Sequence, residues 1–158
     1  DDLFPIWQKV LKHKPEAKLG LIGKGDEKTM SFYQEKIEEY GLSEHIKMLG
    51  FLPDNEVYNL LSSTRFMIFP SHEEGYGMAV AEALANGCRV LSYDLHVFKK
   101  EFGDSIVRVP CYNLEIFAEK VIQYLECSKE ENIEPQNIRT WEQASIEEFE
   151  IITNQFST

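Results

Sequence analysis

Five short apolar runs recur along the chain, and segments with helical periodicity separate most of them. Each run is about as long as one strand, and several end in glycine or proline, which is typical of buried parallel strands. They lie at 18–23, 46–51, 65–70, 89–94 and 105–110. The pattern therefore predicts five strands, each covered by other elements on both faces.

Helical periodicity is clearest between the first two runs. Met30, Tyr33, Ile37 and Tyr40 recur at spacings of 3, 4 and 3, which places them on one helical face. Gly41 follows where a glycine ends many helices. Similar patterns predict helices at 2–13, 27–40, 54–62, 78–87, 113–125 and 141–155.

Two polar residues indicate helix starts: Asp54 is expected to cap the third helix, and Asn113 opens the helix after the fifth strand. Residues 95–104 carry no predicted element and are expected to form a loop. Strands that alternate with helices predict an α/β domain, with a Rossmann-like parallel sheet and helices on both of its faces. Ligands of such sheets bind beyond the carboxyl ends of the strands, so the residues after each strand are the candidates for chemistry.

The loop after the third strand, residues 70–77, is the most distinctive of these. Gly75 and Gly77 flank Tyr76 directly before a predicted helix. Free amides at a helix N-terminus bind anions, and glycine lets a ligand approach the backbone closely. An ordinary strand-to-helix turn is the equally weighted alternative for this loop alone.

Two glutamates accompany this loop. Glu82 lies alone in the apolar segment AVAEALA, three and four positions after Ala79 and Met78. Because helical side chains lean toward the N-terminus, its carboxylate is expected near the anion site, where it could accept hydrogen bonds from ribose hydroxyls. Glu74, eight positions earlier, could contact a second sugar, form a hydrolytic acid/base pair with Glu82, or be a surface acid.

Other loops carry weaker patterns. The glycine pair around Lys24 lacks the remaining positions of a dinucleotide or Walker motif, so Lys24 is interpreted as a solvated lysine. Phe51 follows the second strand and could meet a flat base or belong to an ordinary turn. No second metal ligand or nucleophile motif accompanies His72 or His96, so neither histidine is given a chemical role.

The charge balance restricts the possible partners. There are 16 basic and 27 acidic residues, a net charge of −11. Such a surface repels phosphates, which argues against nucleic acid and anionic membranes as general partners. The three cysteines form no CxxC pair, and no signal peptide or membrane span is evident, which indicates reduced thiols and a cytoplasmic protein.

The stretch PSHEEGYGMAVAEALANGCRVLSYD at 70–94 resembles the motif of retaining family 4 (group 1) glycosyltransferases. LGLIGKGD and IKMLGFLPDNEVYNLLSST upstream are also similar to that family, and the resemblance covers about residues 1–125. It implies the GT-B architecture of two Rossmann-like domains. Residues 1–158 would then be a nucleotide-sugar-binding domain, incomplete at its N-terminus, whose helix at 137–158 packs back toward the N-terminal domain.

The resemblance also implies a role for individual residues. The implied contacts are Glu74, Gly75, Tyr76 and Gly77 for the donor sugar; Gly77, Met78 and Ala79 for the diphosphate; Glu82 for the ribose; and Phe51 and Leu52 for the base. It implies no metal ligand, no cofactor and no catalytic residue within this chain. The absence of a DxD motif agrees with a metal-independent donor site.

The chain also departs from the family. No segment matches the family's opening strand and the following Arg- and Lys-bearing loop, which implies a gap in the sheet between 18–22 and 65–69 and no transfer activity for this chain alone. The family's glycine-rich turn and Pro-Glu after the fourth strand are replaced by LHVFKKEFGD. Donor-sugar contacts from that loop are therefore not expected.

The implied activity is transfer of a sugar, with retention, from a nucleotide sugar to a glycan or a lipid-linked acceptor. UDP is the expected nucleotide, the acceptor would bind the N-terminal domain, and any peripheral membrane association would come from parts outside this chain. Two alternatives stay open at this point. One is another GT-B enzyme, a sugar-nucleotide epimerase or a phosphorylase, and the other is a non-catalytic α/β binding or signalling module.

Overall fold

A computed structural model describes residues 2–127, in which parallel strands alternate with helices. The helices are α1 (Leu3–Leu11), α2 (Glu27–Glu39), α3 (Asp54–Ser63), α4 (Met78–Ala85), α5 (His96–Phe102) and α6 (Leu114–Glu126). The strands are β1 (Leu19–Ile22), β2 (Ile46–Gly50), β3 (Met67–Phe69), β4 (Val90–Tyr93) and β5 (Val107–Val109). All five predicted strands are confirmed. The helix predicted at 141–155 and the segment 137–158 lie outside the described residues.

The helix ends follow local polar chemistry in most cases. Asn113 caps α6, as predicted, since its side chain accepts a hydrogen bond from the amide of Ile116 at 3.1 Å. Gly41 has a φ of 67° directly after α2, the left-handed conformation expected there. The expectation for Asp54 is wrong: Pro53 is the capping residue, and Asp54 lies in the first turn, where its charge favours the helix dipole.

The segment expected to be a loop after β4 is instead the helix α5. Its two buried side chains are Phe98 and Phe102, one turn apart, with Lys99 and Lys100 between them. Seven residues, of which only Val97, Phe98 and Phe102 are apolar, give too short a pattern to be recognised as a helix. Both phenylalanines pack in the core that also contains Val90 of β4, and this packing stabilises the helix α5.

The sheet is divided at the place where the sequence predicted a gap. β1 pairs in parallel with β2, and β3, β4 and β5 form a separate parallel sheet in that order. The Leu19 amide donates to the carbonyl of His45, directly before β2, at 2.8 Å, and the Gly23 amide donates to that of Gly50 at 3.0 Å. Because backbone groups alternate in direction along a strand, those of Gly20 and Ile22 point to the opposite edge, where no described strand lies.

Helices cover both faces, which confirms the predicted fold class. One core contains the buried residues of α1, α2 and α6, and the other contains those of α3, α4 and α5. Salt bridges join Lys9 of α1 to Glu115 of α6, and Lys14, in the turn after α1, to Glu126 of α6. All four residues of β4 are buried between the two layers.

The three cysteines, all within the described residues, are free thiols, and Cys88 is buried. Burial raises the pKa of the Cys88 thiol to about 11, which keeps it protonated and unreactive at neutral pH.

Within residues 2–127 no helix is long and apolar enough to cross a membrane.

Candidate donor site at the carboxyl edge of the sheet

The loop at 70–77 joins β3 to the N-terminus of α4 and ends on a glycine that the structure requires. Gly77 is the capping residue of α4, with a φ of 95°. A Cβ on Gly77 would lie 2.5 Å from Cε1 of Phe98. Both the backbone angle and the close approach of α5 therefore exclude a side chain here.

The first amides of α4 face no acceptor in the described part of the chain. Hydrogen bonding in the helix begins with Val80 and Ala81, whose amides donate to the Gly77 carbonyl at 2.9 and 3.0 Å. The amides of Met78 and Ala79 precede this first turn, and within residues 2–127 no backbone or side-chain acceptor meets them. They form a site with partial positive charge at the carboxyl edge of the sheet.

The two glutamates that the sequence singled out flank this helix end. Glu74 lies in the loop and Glu82 in the second turn of α4, and both are half-buried. Among the described residues, neither carboxylate has a hydrogen-bond or salt-bridge partner. Half-buried carboxylates without internal partners are free to accept hydrogen bonds from the hydroxyls of a ligand.

The aromatic residue of the loop packs on α5. The Tyr76 ring is half-buried and lies edge-on against Phe102 of α5, with ring centroids 5.7 Å apart. This contact ties the end of the loop to α5. Gly75 is exposed, and a Cβ there would meet nothing within 4 Å.

The proposed base contacts lie on the other part of the divided sheet. Phe51, directly after β2, is 70% exposed, and Leu52 is half-buried. In the described part of the chain no ring contact, hydrogen bond or salt bridge joins Phe51 or Leu52 to the 70–77 loop. Glu74 and Glu82 thus lie within four residues of Met78 along the chain, in the loop before α4 and in α4 itself, whereas Phe51 and Leu52 lie on the other side of the gap.

The loop has a second attachment that sequence reasoning missed. Nε2 of His72 lies 2.8 Å from Oδ2 of Asp2 at the start of α1, and the Tyr93 hydroxyl donates to the same oxygen at 2.5 Å. These residues are separated by 70 and 91 positions, so no local pattern points to the cluster. Among residues 2–127, no three potential metal ligands come together, here or elsewhere.

Comparison with known proteins bears on this geometry. The family model described as "Glycosyl transferases group 1" matches residues 1–141. The match includes the 70–77 loop, the first turns of α4 and every described element. It favours an enzyme family over the alternative of a non-catalytic α/β module.

Two curated relatives are glycosyltransferases. The poly(glycerol-phosphate) alpha-glucosyltransferase of Bacillus subtilis (strain 168) is 30% identical over 122 residues, which cover 74% of this chain and 17% of that protein. The human GDP-Man:Man(3)GlcNAc(2)-PP-Dol alpha-1,2-mannosyltransferase is 26% identical over 151 residues, 90% of this chain and 30% of that protein. The chain thus spans less than a third of the length of either relative.

Among solved structures, a mutant of TarM from S. aureus, crystallised with fondaparinux, alpha-GlcNAc-glycerol and UDP, superposes with a TM-score of 0.77. It is 19% identical, and the superposition covers 100% of this chain and 32% of that protein. At this identity the likeness shows a shared fold.

Proposed function

Since this chain belongs to the group 1 glycosyltransferases, we propose that it is the donor-binding domain of a retaining GT-B enzyme. One observation carries the proposal: two half-buried carboxylates without described partners, Glu74 and Glu82, flank the free amides that begin α4. A nucleotide sugar offers both hydroxyls for the carboxylates and a diphosphate for the amides.

Each part of the donor has a chemically matching group. The Met78 and Ala79 amides, with Gly77, would hold the diphosphate, because a helix N-terminus attracts negative charge. Glu82 would accept hydrogen bonds from the ribose hydroxyls, and Glu74 from the donor sugar. Phe51, with Leu52 beside it, offers an exposed ring against which a base could pack.

The same helix end supplies the chemistry that sugar transfer needs most from a donor domain. When the bond between the sugar and the diphosphate breaks, negative charge grows on the leaving phosphate. Preorganised amides stabilise that charge more than they stabilise the intact donor, which lowers the barrier. We propose that this occurs without a metal ion.

The whole enzyme would transfer a sugar from the nucleotide donor to a glycan or a lipid-linked acceptor held by another domain, in the cytoplasm. UDP is the proposed nucleotide, which the crystallised TarM mutant binds. The glucosyl- and mannosyltransferase relatives support a hexose as the sugar. Without the acceptor domain, the 158-residue chain would bind donor but transfer nothing.

We propose that one further parallel strand belongs in the gap between β1 and β3. α2 connects β1 to β2 on the face that α1 shares, and α1 leads directly into β1. Right-handed crossovers then place a strand that precedes α1 on the side of β1 opposite β2, which is the gap. A strand there would pair with the edge of β1 that is unpaired among residues 2–127.

The proposal is tested by calorimetric titration of the chain with UDP, GDP and ADP, and then with UDP-glucose and GDP-mannose. We expect one nucleotide to bind, and Glu82→Ala to weaken it about 10- to 100-fold, because a charged hydrogen-bond acceptor is lost. Glu119→Ala is the matched control: Glu119 is an exposed glutamate on α6, on the other face of the sheet. The affinity of the Glu119→Ala variant for the nucleotide should stay within about twofold of the wild-type value.

Absence of binding by every nucleotide would contradict the proposal. An equal loss of affinity in the Glu82 and Glu119 variants would show that Glu82 does not bind the nucleotide. Products separate the alternatives within GT-B chemistry: conversion of a nucleotide sugar alone by the complete enzyme indicates an epimerase, and a requirement for inorganic phosphate indicates a phosphorylase.

A further inference from the structure

Asp2 at the start of α1 holds two groups from distant elements with one carboxylate. Its Oδ2 accepts from the Tyr93 hydroxyl at 2.5 Å and lies 2.8 Å from Nε2 of His72. Asp2 stands at the N-cap position of α1 but makes no side-chain bond to the helix. The carboxylate therefore connects α1 to the end of β4 and to the 70–77 loop.

The His72 ring is fixed by aromatic contacts as well. It stacks on the fully buried Tyr93 at 5.4 Å and 29°, and Tyr112 lies 4.3 Å from it at 48°. Burial alone would raise the pKa of the Asp2 carboxyl, but hydrogen bonds from Tyr93 and His72 hold it below its usual 3.8. Asp2 is thus ionised at neutral pH and can only accept, so Nε2 of His72 carries the proton.

The loop is attached at its other end to the opposite face of the sheet. Tyr76 packs on Phe102, and Gly77 is buried against Phe98. Between this attachment and His72 lie only residues 73–75, of which Glu74 is the middle one. The position of Glu74 relative to the α4 amides therefore depends on both ends of the loop.

We infer that His72 is a positioning residue for Glu74: its hydrogen bond to Asp2 anchors the loop to α1 and holds Glu74 where it can meet the donor sugar. The anchoring is a property of the ligand-free chain. Its consequence for the sugar rests on the proposed function. Glu82 lies in α4, beyond the contacts of Tyr76 and Gly77 with α5, so binding of the nucleotide portion does not depend on His72.

The first experiment measures backbone 15N NMR order parameters at residues 73–75 in the ligand-free chain. His72→Ala removes the anchor, and we expect these order parameters to fall from about 0.85, the rigid range, to below about 0.6. His72→Gln keeps an N–H donor at a similar distance from the backbone and should restore the high order parameters. His72→Phe keeps a ring without a donor and should resemble His72→Ala. His96→Ala, in an exposed histidine of α5, is the control and should change nothing.

Three results would overturn the anchor: unchanged order parameters in His72→Ala, no rescue by His72→Gln, or wild-type order parameters in His72→Phe. Amide hydrogen exchange at the paired β4 amides of the same variants reports whether a variant has lost its fold. Faster exchange throughout β4 in His72→Ala would make His72 a general stabilising residue and overturn the specific role.

The second experiment compares UDP with UDP-glucose, or with the nucleotide and nucleotide sugar that bind best. We expect His72→Ala to leave nucleotide affinity unchanged and to reduce the additional affinity contributed by the sugar about tenfold, with recovery in His72→Gln. An unchanged contribution from the sugar, beside a loosened loop, would overturn the role in positioning Glu74. If no nucleotide binds the wild-type chain while the loop still loosens, the proposed function fails and the anchor stands.

Discussion

The two parts of the divided sheet differ in how completely they are enclosed. β4 pairs with β3 on one side and β5 on the other, and all four of its residues are buried. Among residues 2–127, β1 pairs with β2 alone, its leucines are half-buried, and Gly20 and Ile22 are exposed. The part that carries the 70–77 loop thus has a buried central strand, although β3 is half-buried at the gap, whereas the part that carries Phe51 has no central strand.

This difference bears on how the candidate site is assembled. The α4 amides begin a helix that packs in the core around β4, and the two glutamates lie in that helix and in the loop before it. Phe51 and Leu52 follow β2, which pairs only with β1 among residues 2–127. We expect the diphosphate and sugar contacts to be preformed in this chain, and the base contacts to be the more mobile ones.

Amide hydrogen exchange gives the largest expected contrast. The amides of Gly20 and Ile22 point away from β2 and should exchange almost as fast as in a peptide. Those of Leu91 and Tyr93 are paired within the enclosed sheet and should exchange at least about 10³-fold more slowly, since they open only with the whole core. Comparable rates in the two strands would show that the open edge is occupied.

The same measurement sharpens the proposal of a further strand. Adding about five β-branched residues and a short glycine-rich linker before α1 should slow exchange at Gly20 and Ile22. A matched extension with two prolines in the strand cannot form the ladder and should have no effect. Equal exchange in both extended chains would contradict the proposed place of the strand.

Core truncation gives the second contrast. Leu91→Ala removes a fully buried side chain in the middle of β4 and should cost about 2–5 kcal/mol of unfolding free energy. Leu21→Ala removes a half-buried side chain of β1 and should cost about 1–2 kcal/mol, since less apolar area is lost and water already reaches the strand. Urea denaturation measures both, and equal costs would indicate that β1 is as enclosed as β4.

Much of this architecture was predicted from the chain because its patterns are local. Buried parallel strands are apolar on both faces, so five contiguous runs identify β1 to β5, and the loop motif around Gly75 and Gly77 is contiguous as well. α5 was missed because its only buried pair is Phe98 and Phe102. The Asp2 cluster was missed because its members meet only after the sheet and helix layers have assembled.

Two glycines with positive φ, one in each part, give the third contrast. Gly77→Ala combines a φ of 95° with a Cβ 2.5 Å from Phe98, and should destabilise by about 2–4 kcal/mol. Gly41→Ala, at a φ of 67° with nothing within 4 Å, has only the backbone cost of about 1–2 kcal/mol. Thermal unfolding checks both values. Equal shifts in Tm would show that α5 does not press against the loop.

Acid titration gives the smallest contrast and compares two carboxyls with a lowered pKa. Asp2 bonds to Tyr93 and His72, and Tyr112 lies over the histidine; Asp26 is fully exposed and bonds only to Thr29 within its own helix. A pKa below the unfolded value of about 3.9 contributes stability that is complete above that pH and is lost as pH falls through the folded pKa.

Asp2→Asn should therefore lower the unfolding free energy at pH 6 and flatten its decline below about pH 4, because the titrating carboxylate is gone. Asp26→Asn should have a weaker effect in the same direction, since its bond is local and solvated. Urea denaturation at several pH values from 6 to 3 measures the two slopes. If Asp26→Asn flattened the profile more than Asp2→Asn, the contact between α1 and the donor loop would contribute less than a single helix cap, and the anchoring of Glu74 through His72 would lose its energetic basis.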